Sequence, residues 1–340
     1  MTVDSLPRQA APLDDPFAVR ELLIRDVSLE ADRVLSIRLA DLEGADLPAW
    51  QPGAHLDVIL PSGKVRQFSL CGDPADRSSY TVAVLREAEG RGGSVEIHDF
   101  AIPGRTLQVR GPRNHFELSP AEEYVFVAGG IGITPILPMI RQAVSEKVRW
   151  HLAYAGRSRR NMAFLDELEA LARDGLGEVE LFPRDEGVRL DVPSLVAALP
   201  ETATVYCCGP SSLIDQVQQC CTLSGSGPSL HVERFTSGEA SAEARAQVAE
   251  SAGTFEVVLA RSGASAVAGP GCTVLDAIRE LAPDVLTDCE EGYCGTCETK
   301  VLEGEPEHHD TILTEKDRAK NNCMMICVGR ARSERLVLDL

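Results

Sequence analysis

The sequence predicts a multidomain chain: an antiparallel β-barrel, then an α/β domain built on a parallel sheet, then a small α+β domain around a cysteine cluster. Three observations predict it. The first third alternates apolar and polar residues in short runs separated by turn formers. From about Tyr124, short apolar runs alternate with helix-like stretches, and near the end five of the eleven cysteines crowd between Cys289 and Cys327. A length of 340 residues fits two or three domains, and 44% apolar residues can supply a core for each.

The stretch 1–16 carries Asp4, Asp14 and Asp15 and no apolar block, so it reads as an N-terminal extension and not a signal peptide. In the barrel, 17–118, the runs Leu22 to Ser28, Val34 to Leu39 and His55 to Leu60 alternate as half-buried strands do, with turns at Pro52-Gly53 and Pro61-Ser62-Gly63. Short, closely spaced strands of this kind close most simply into a small barrel. In the α/β domain, 119–236, Tyr124 to Ala128, Val148 to Ala155, Val179 to Phe182 and Thr204 to Cys208 read as strands. A helix from Pro135 and another marked by Leu165, Leu168 and Ala172 alternate with them, which implies a parallel sheet. Residues 237–252 are small and polar, the composition of a linker, with alanines that allow some helix. The run Phe255 to Leu259 opens the last domain, 253–340.

A net charge of −19 argues against nucleic acid as a partner, since phosphate binding needs a basic face. No apolar run approaches the length needed to span a bilayer. The expectation is a cytoplasmic monomer that engages neither membrane nor nucleic acid. In a reducing compartment, eleven cysteines point to metal or redox chemistry ahead of structural disulfides.

Cys289-x4-Cys294-x2-Cys297, followed by Cys327, has the spacing of a plant-type [2Fe–2S] ferredoxin. Small residues in the loop, Gly292, Gly295 and Thr296, let backbone amides approach the sulfurs. Zinc sites usually pair two Cys-x-x-Cys units, and only one is present here. A thioredoxin-like pair would leave Cys289 and Cys327 unused. Cys323 is a rival for the fourth position. His308 and His309 are expected to be solvated in an acidic loop, and Cys71, Cys220, Cys221 and Cys272 to be packed as small hydrophobes.

Arg66-Gln67-Phe68-Ser69, on a barrel strand, resembles the Arg-x-(Tyr/Phe)-(Ser/Thr) signature of the ferredoxin–NADP reductase superfamily. An arginine can hold a phosphate, an aromatic can pack beside an isoalloxazine ring, and a hydroxyl can hydrogen-bond near its N5 edge. Arg91-Gly92-Gly93-Ser94 precedes a short helical stretch from Val95 to Asp99, and such a helix start offers amides to a phosphate. Gly129-Gly130-Ile131-Gly132-Ile133-Thr134-Pro135 follows a strand and opens a helix, with Thr134 placed as N-cap and Pro135 as first helical residue. It is neither the Gly-x-Gly-x-x-Gly fingerprint nor a P-loop. Cys208-Gly209-Pro210 ends another strand, where a small thiol can sit against a nicotinamide.

In this order, these motifs make the chain resemble the phthalate dioxygenase reductase family, which includes vanillate demethylase reductase subunits. The resemblance covers nearly everything beyond the first fifteen or so residues. It implies FMN, NADH, one [2Fe–2S] cluster in a β-grasp ferredoxin domain, and a terminal oxygenase as partner. Carried over, it implies that Arg66, Phe68, Ser69, Arg91, Gly92, Gly93, Ser94 and Thr134 meet FMN and that Phe235 covers its ring. Gly130, Gly132, Cys208, Gly209 and Pro210 would face the nicotinamide nucleotide, with Ser69, Cys208 and Phe235 at the reacting centre. The string Met325-Ile326-Cys327-Val328-Gly329-Arg330-Ala331 matches the family segment that bears the fourth ligand. The stretch from Cys297 to Cys327 is longer than in the family around Asp317 to Asn322.

Hydride would thus pass from NADH to FMN, and electrons would leave singly through the cluster. No Cys-x-His pair of a Rieske centre and no haem site is found, so the oxygenase is expected on another chain, either a Rieske enzyme, an O-demethylase or a cytochrome P450. A non-enzymatic redox sensor is the alternative from another class, and the full set of nucleotide motifs counts against it. Asp185-Glu186 favours NADH by repelling a 2′-phosphate, whereas Arg157, Arg159 and Arg160 would welcome one. Eight carboxylates against Lys300 alone, between Asp288 and Asp310, would steer a basic partner.

Overall fold

The computed structural model describes residues 15–88, 92–223, 228–235 and 246–340, and in it three sheets follow one another along the chain. The first holds six antiparallel strands, β1 (Val19–Ala31), β2 (Val34–Ala40), β3 (Ala54–Ile59), β4 (Val65–Ser69), β5 (Tyr80–Leu85) and β6 (Thr106–Asn114), in the order β4-β3-β6-β1-β2-β5. Its outer strands meet again where Leu70 bridges Val82, so the sheet curls on itself as a barrel must. Alternation sends Leu22, Ile24, Ile37, Leu56, Val58, Val82 and Val109 into one core. Helix α1 (Gly93–Phe100) adds Ile97 to that core.

One irregularity positions the site. On β3, His55 pairs with Arg113 and Asp57 with Arg110, so two steps on β3 match three on β6. In a regular strand, residues three apart point to opposite faces, and the extra residue of a bulge returns both arginines to one face. Gly111 makes this possible: its φ is 118°, and a Cβ there would lie 3.1 Å from the His55 carbonyl oxygen.

The second sheet is wholly parallel: β7 (Glu123–Gly129), β8 (Arg149–Gly156), β9 (Gly177–Pro183), β10 (Thr204–Gly209) and β11 (Ser229–Arg234), ordered β11-β10-β7-β8-β9. Helices α2 (Ile133–Glu146), α3 (Leu165–Leu171), α4 (Val192–Ala197) and α5 (Ser211–Leu223) alternate with the strands. On β7, Tyr124, Phe126 and Ala128 pack with α2, while Val125 and Val127 pack with Val196 and Ile214 on the other face. A strand covered on both faces reads as an unbroken apolar run. The build reverses direction between β7 and β10, and such a switch point opens a crevice at the strand C-termini. Val34, Cys71, Ala83 and Phe116 join the α2 core from the barrel side, and Arg141 of α2 donates to the carbonyls of Cys71 and Gly72. Barrel and parallel sheet therefore share an apolar seam.

The expected start of α2 is corrected. A tight turn over Gly130–Gly132 leads straight into a helix beginning at Ile133, so Gly132 holds the cap position. Thr134 lies inside the first turn, where its hydroxyl donates to the Ile131 carbonyl at 2.9 Å. Pro135 is tolerated there because first-turn amides have no intrahelical acceptor.

The third sheet contains β12 (Phe255–Leu259), β13 (Ser265–Ala268), β14 (Glu298–Glu303), β16 (Cys323–Met325) and β18 (Arg335–Leu338), ordered β13-β12-β18-β14-β16, beside a small pair of β15 (Pro306–Glu307) and β17 (Arg330–Ala331). Helix α6 (Val274–Ile278) starts on a capping box between Thr273 and Asp276. The core here, including Phe255, Val257, Ile278, Met324, Ile326 and Leu336, draws on no residue of the other two sheets. Of the expected linker, 237–245 lie outside the described residues and 246–250 are helical. Among the described residues, no helix is long and apolar enough to cross a membrane.

Candidate functional site

The C-terminal ends of β7 and β10 meet at the switch point with almost no side chain between them. A Cβ on Gly132 would lie 2.2 Å from the Cys208 carbonyl oxygen, and one on Gly209 would lie 2.9 Å from the Gly129 Cα. A Cβ on Gly129 would strike the Pro210 ring at 2.6 Å. The glycine turn and the Cys208-Gly209-Pro210 turn are thus one surface, brought together by strand pairing of Cys208 with Ala128, 80 residues earlier. Close backbone approach of this kind is what a flat ring or a phosphate needs.

Beside this surface stands a residue that sequence reasoning missed. Glu233 of β11 pairs with Cys208 of β10 and accepts a hydrogen bond from the Ser69 hydroxyl at 3.4 Å, linking barrel to parallel sheet. Burial raises its carboxyl pKa to about 8, only partly offset by the Ser69 bond, so at neutral pH it holds a proton. Burial, with the Glu233 charge behind it, also pushes the Cys208 thiol well above its ordinary range. The only signal in the sequence was a carboxylate in a strand-like run, His231 to Arg234, two residues before Phe235. Phe235 itself follows β11 and is 37% exposed, a large aromatic open to solvent.

On the barrel, Arg66, Phe68 and Ser69 lie on β4 and Gly92, Gly93 and Ser94 at the start of α1. A Cβ on Gly93 would collide with the Arg66 side chain at 2.5 Å, so the guanidinium stem lies over the helix start. Gly92 adopts φ 81°, the left-handed region that favours glycine. A cation over a helix start that no side chain caps fits a phosphate. Arg91 lies outside the described residues. Arg66 also reaches across to Asp288, at 2.6 Å, immediately before the first clustered cysteine.

Cys289, Cys294, Cys297 and Cys327 gather in one pocket. Cys289 hydrogen-bonds with Cys294 and Cys327, and Cys327 also with Cys297. These bonds from neighbouring thiols lower the Cys289 pKa to about 2, while Cys294 and Cys327 are driven up by the same contacts. Four sulfurs converging at this spacing are the donor set that an iron pair takes. The Glu291 amide donates to Cys289 Sγ at 3.3 Å, and Gly292 and Gly295 take φ of 73° and 75°. Cys323 stands apart from these contacts: burial and its bond to Glu298 push its thiol up to about 12. The loop lies directly against β4, since the Cβ position of Gly295 is 3.6 Å from Gln67 Nε2.

Two expectations about the surrounding loop are corrected. The His308 and His309 side chains are only 7% and 10% exposed, beside Asp310 and Glu307, and not solvated. Several of the eight carboxylates meant to steer a partner are engaged within the protein: Asp288 with Arg66, Glu290 with Arg279, Glu298 with Arg113 and Glu305 with Arg332. Charge so neutralised has little long-range reach. The two rival determinants of nucleotide choice also meet, as Arg159 donates to Glu186 at 2.9 Å.

A family profile described as "2Fe-2S iron-sulfur cluster binding domain" matches residues 257–332, and one described as "Oxidoreductase NAD-binding domain" matches residues 126–219. The chain is 41% identical over 323 residues to phenoxybenzoate dioxygenase subunit beta of Ectopseudomonas oleovorans, covering 94% of this chain and 97% of that one. It is 36% identical over 338 residues to phthalate dioxygenase reductase of Burkholderia cepacia, covering 97% and 99%. Among solved structures, an intact type IV self-sufficient cytochrome P450 monooxygenase superposes with a TM-score of 0.81 at 42% identity over 98% of this chain, which spans 43% of that protein's length.

Proposed function

The chain belongs to the phthalate dioxygenase reductase family, and on that premise we propose that its three sites form one path from NADH to a terminal oxygenase. It is an NADH-dependent flavin and iron–sulfur oxidoreductase, the reductase component of an oxygenase system. FMN, when bound, turns the two-electron chemistry of a nicotinamide into single-electron steps, which a [2Fe–2S] cluster passes outward. In this reading Arg66, Gly92, Gly93 and Ser94 hold the flavin phosphate, while Phe68, Ser69, Thr134 and Phe235 surround its ring. Gly130, Gly132, Cys208, Gly209 and Pro210 leave room for the nicotinamide, and Cys289, Cys294, Cys297 and Cys327 hold the iron pair. The observation that carries the reading is the seat of the cluster loop against β4, the strand bearing Arg66, Phe68 and Ser69. Electron donor and acceptor then lie side by side. The test is direct: flavin released by heat should run as FMN on a column, and kcat/KM should be higher with NADH than with NADPH. FAD as the main species would sink the phosphate assignment, and a preference for NADPH would mean that the Arg157 to Arg160 cluster governs nucleotide choice.

The proposed partner is a Rieske-type oxygenase, which the dioxygenase components among its relatives support. A cytochrome P450 is the second reading, favoured by the superposition on the self-sufficient monooxygenase. Eleven cysteines, four of them in a cluster loop, point to a reducing compartment, and we place the protein in the cytoplasm as a monomer.

Glu233 gives the reading a pH signature. The residue is neutral below its folded pKa of about 8 and gains a buried charge above it, next to the surface proposed for the nicotinamide. Hydride transfer should therefore fall as pH rises through about 8, because a buried carboxylate drags water and counter-charge into the crevice. Glu233→Gln, a permanently neutral replacement, should remove that alkaline limb in single-turnover reduction of the flavin by NADH. An unchanged limb would assign it to another group.

A further inference from the structure

Five ionisable side chains from two domains meet out of water between the barrel and the cluster loop. Asp57, wholly buried, accepts from Arg110 Nε at 2.7 Å and, with both oxygens, from Arg113 Nη2 at 2.8 Å. The same two guanidinium groups reach into the third domain. Arg113 Nη1 donates to the Gly295 carbonyl at 2.8 Å and to Glu298 at 3.0 Å, and Arg110 donates to the Thr296 carbonyl. His115 closes the ring on Glu298 at 3.0 Å. Two arginines face two carboxylates, and of the Arg113 nitrogens only Nε is left without a partner, so most of the cost of burying these charges is offset by bonds.

We propose that Arg110 and Arg113 are positioning residues for electron transfer, seating the cluster loop on the flavin barrel and thereby setting the separation of the two cofactor sites. Three features single them out from a chance interdomain ion pair. Their targets, the carbonyls of Gly295 and Thr296, lie between Cys294 and Cys297, the tightest part of the proposed ligand loop. A β6 bulge at Gly111-Pro112 is what aims both side chains the same way. Asp57 holds the pair from within the barrel, so the donors are oriented before the loop arrives. The forked geometry of arginine suits this double duty, one edge on a carboxylate and the other on carbonyls.

The test is stopped-flow reduction by NADH under anaerobic conditions, which separates bleaching of the flavin from reduction of the cluster. Arg113→Met should retain both visible spectra and reduce its flavin at the wild-type rate. Its cluster phase should slow by at least about tenfold, because the docked, transfer-competent fraction falls in proportion to the lost contacts. Arg113→Lys should recover part of the loss. Glu298→Gln changes the opposite domain with little change in size, and it carries the same test should Arg113→Met fail to fold. Acting through one contact, the two changes combined should slow the cluster phase less than the product of the single effects. A cluster phase unaltered in the single variants, or a strictly multiplicative double variant, would overturn the proposal. The inference rests on the proposed electron path: wild-type protein lacking flavin or cluster absorption strikes that path, whereas normal loading with an unaltered cluster phase strikes only this inference.

Discussion

Cys327→Ser is expected to abolish the visible absorption of the iron–sulfur cluster, and Cys323→Ser to keep it. The two thiols differ in company. Cys327 shares hydrogen bonds with Cys289 and Cys297, and Thr296 Oγ1 is 3.3 Å from Cys294 Sγ in the same pocket. Cys323 opens β16, bonds to Glu298, and is held as a neutral thiol by burial. An iron pair needs its four sulfurs within one pocket, and Cys327 lies beside Cys289 and Cys297 whereas Cys323 turns toward Glu298. Serine in place of the fourth sulfur should also cut cytochrome c reduction to near background while leaving ferricyanide reduction largely intact. Retention of the cluster in Cys327→Ser, with its loss in Cys323→Ser, would reverse the assignment.

Removing the ferredoxin domain should produce the second large effect. A chain ending at Gly238 is expected to bind flavin, oxidise NADH and reduce ferricyanide, a small acceptor able to collect electrons at the flavin. It should lose nearly all reduction of cytochrome c or of a cognate oxygenase. The separate core of the third sheet supports independent folding of the remainder, which keeps the apolar seam between barrel and parallel sheet. Truncation does uncover Arg110 and Arg113, yet both remain bonded to Asp57 within the barrel. Full support of an oxygenase by the shortened chain would mean that electrons leave by another route.

The parts legible in the sequence are those fixed by local chemistry. Cysteine spacing marks a single loop, alternation marks β1 to β3, and the glycine turns mark places where backbone must approach backbone. Glu233 was hidden because its meaning depends on Ser69, 164 positions away, and on strand pairing with Cys208. Arg110 and Arg113 were hidden for a different reason: their three-residue spacing places them on opposite faces of any regular strand, and only the bulge reunites them. The cap assigned to Thr134 missed because a glycine turn can enter a helix early, with no side chain announcing the boundary. The loop carboxylates misled for a third reason, since composition counts charges but does not reveal which arginines from the barrel, α6 or the chain's end answer them.

The contacts of Arg110 and Arg113 with Gly295 and Thr296 are made to main-chain oxygens. Recognition of that kind is blind to residue identity: any loop with the same backbone trace presents the same two acceptors. The side chains of the loop are thereby released from the task of holding their own domain in place, and substitution there can retune the choice of electron acceptor without loosening the internal dock. Glu298 and Asp288, at the loop's two edges, tie docking to particular residues through Arg113 and Arg66. The ferredoxin domain is in this sense a cartridge, keyed by its peptide backbone and labelled by its side chains.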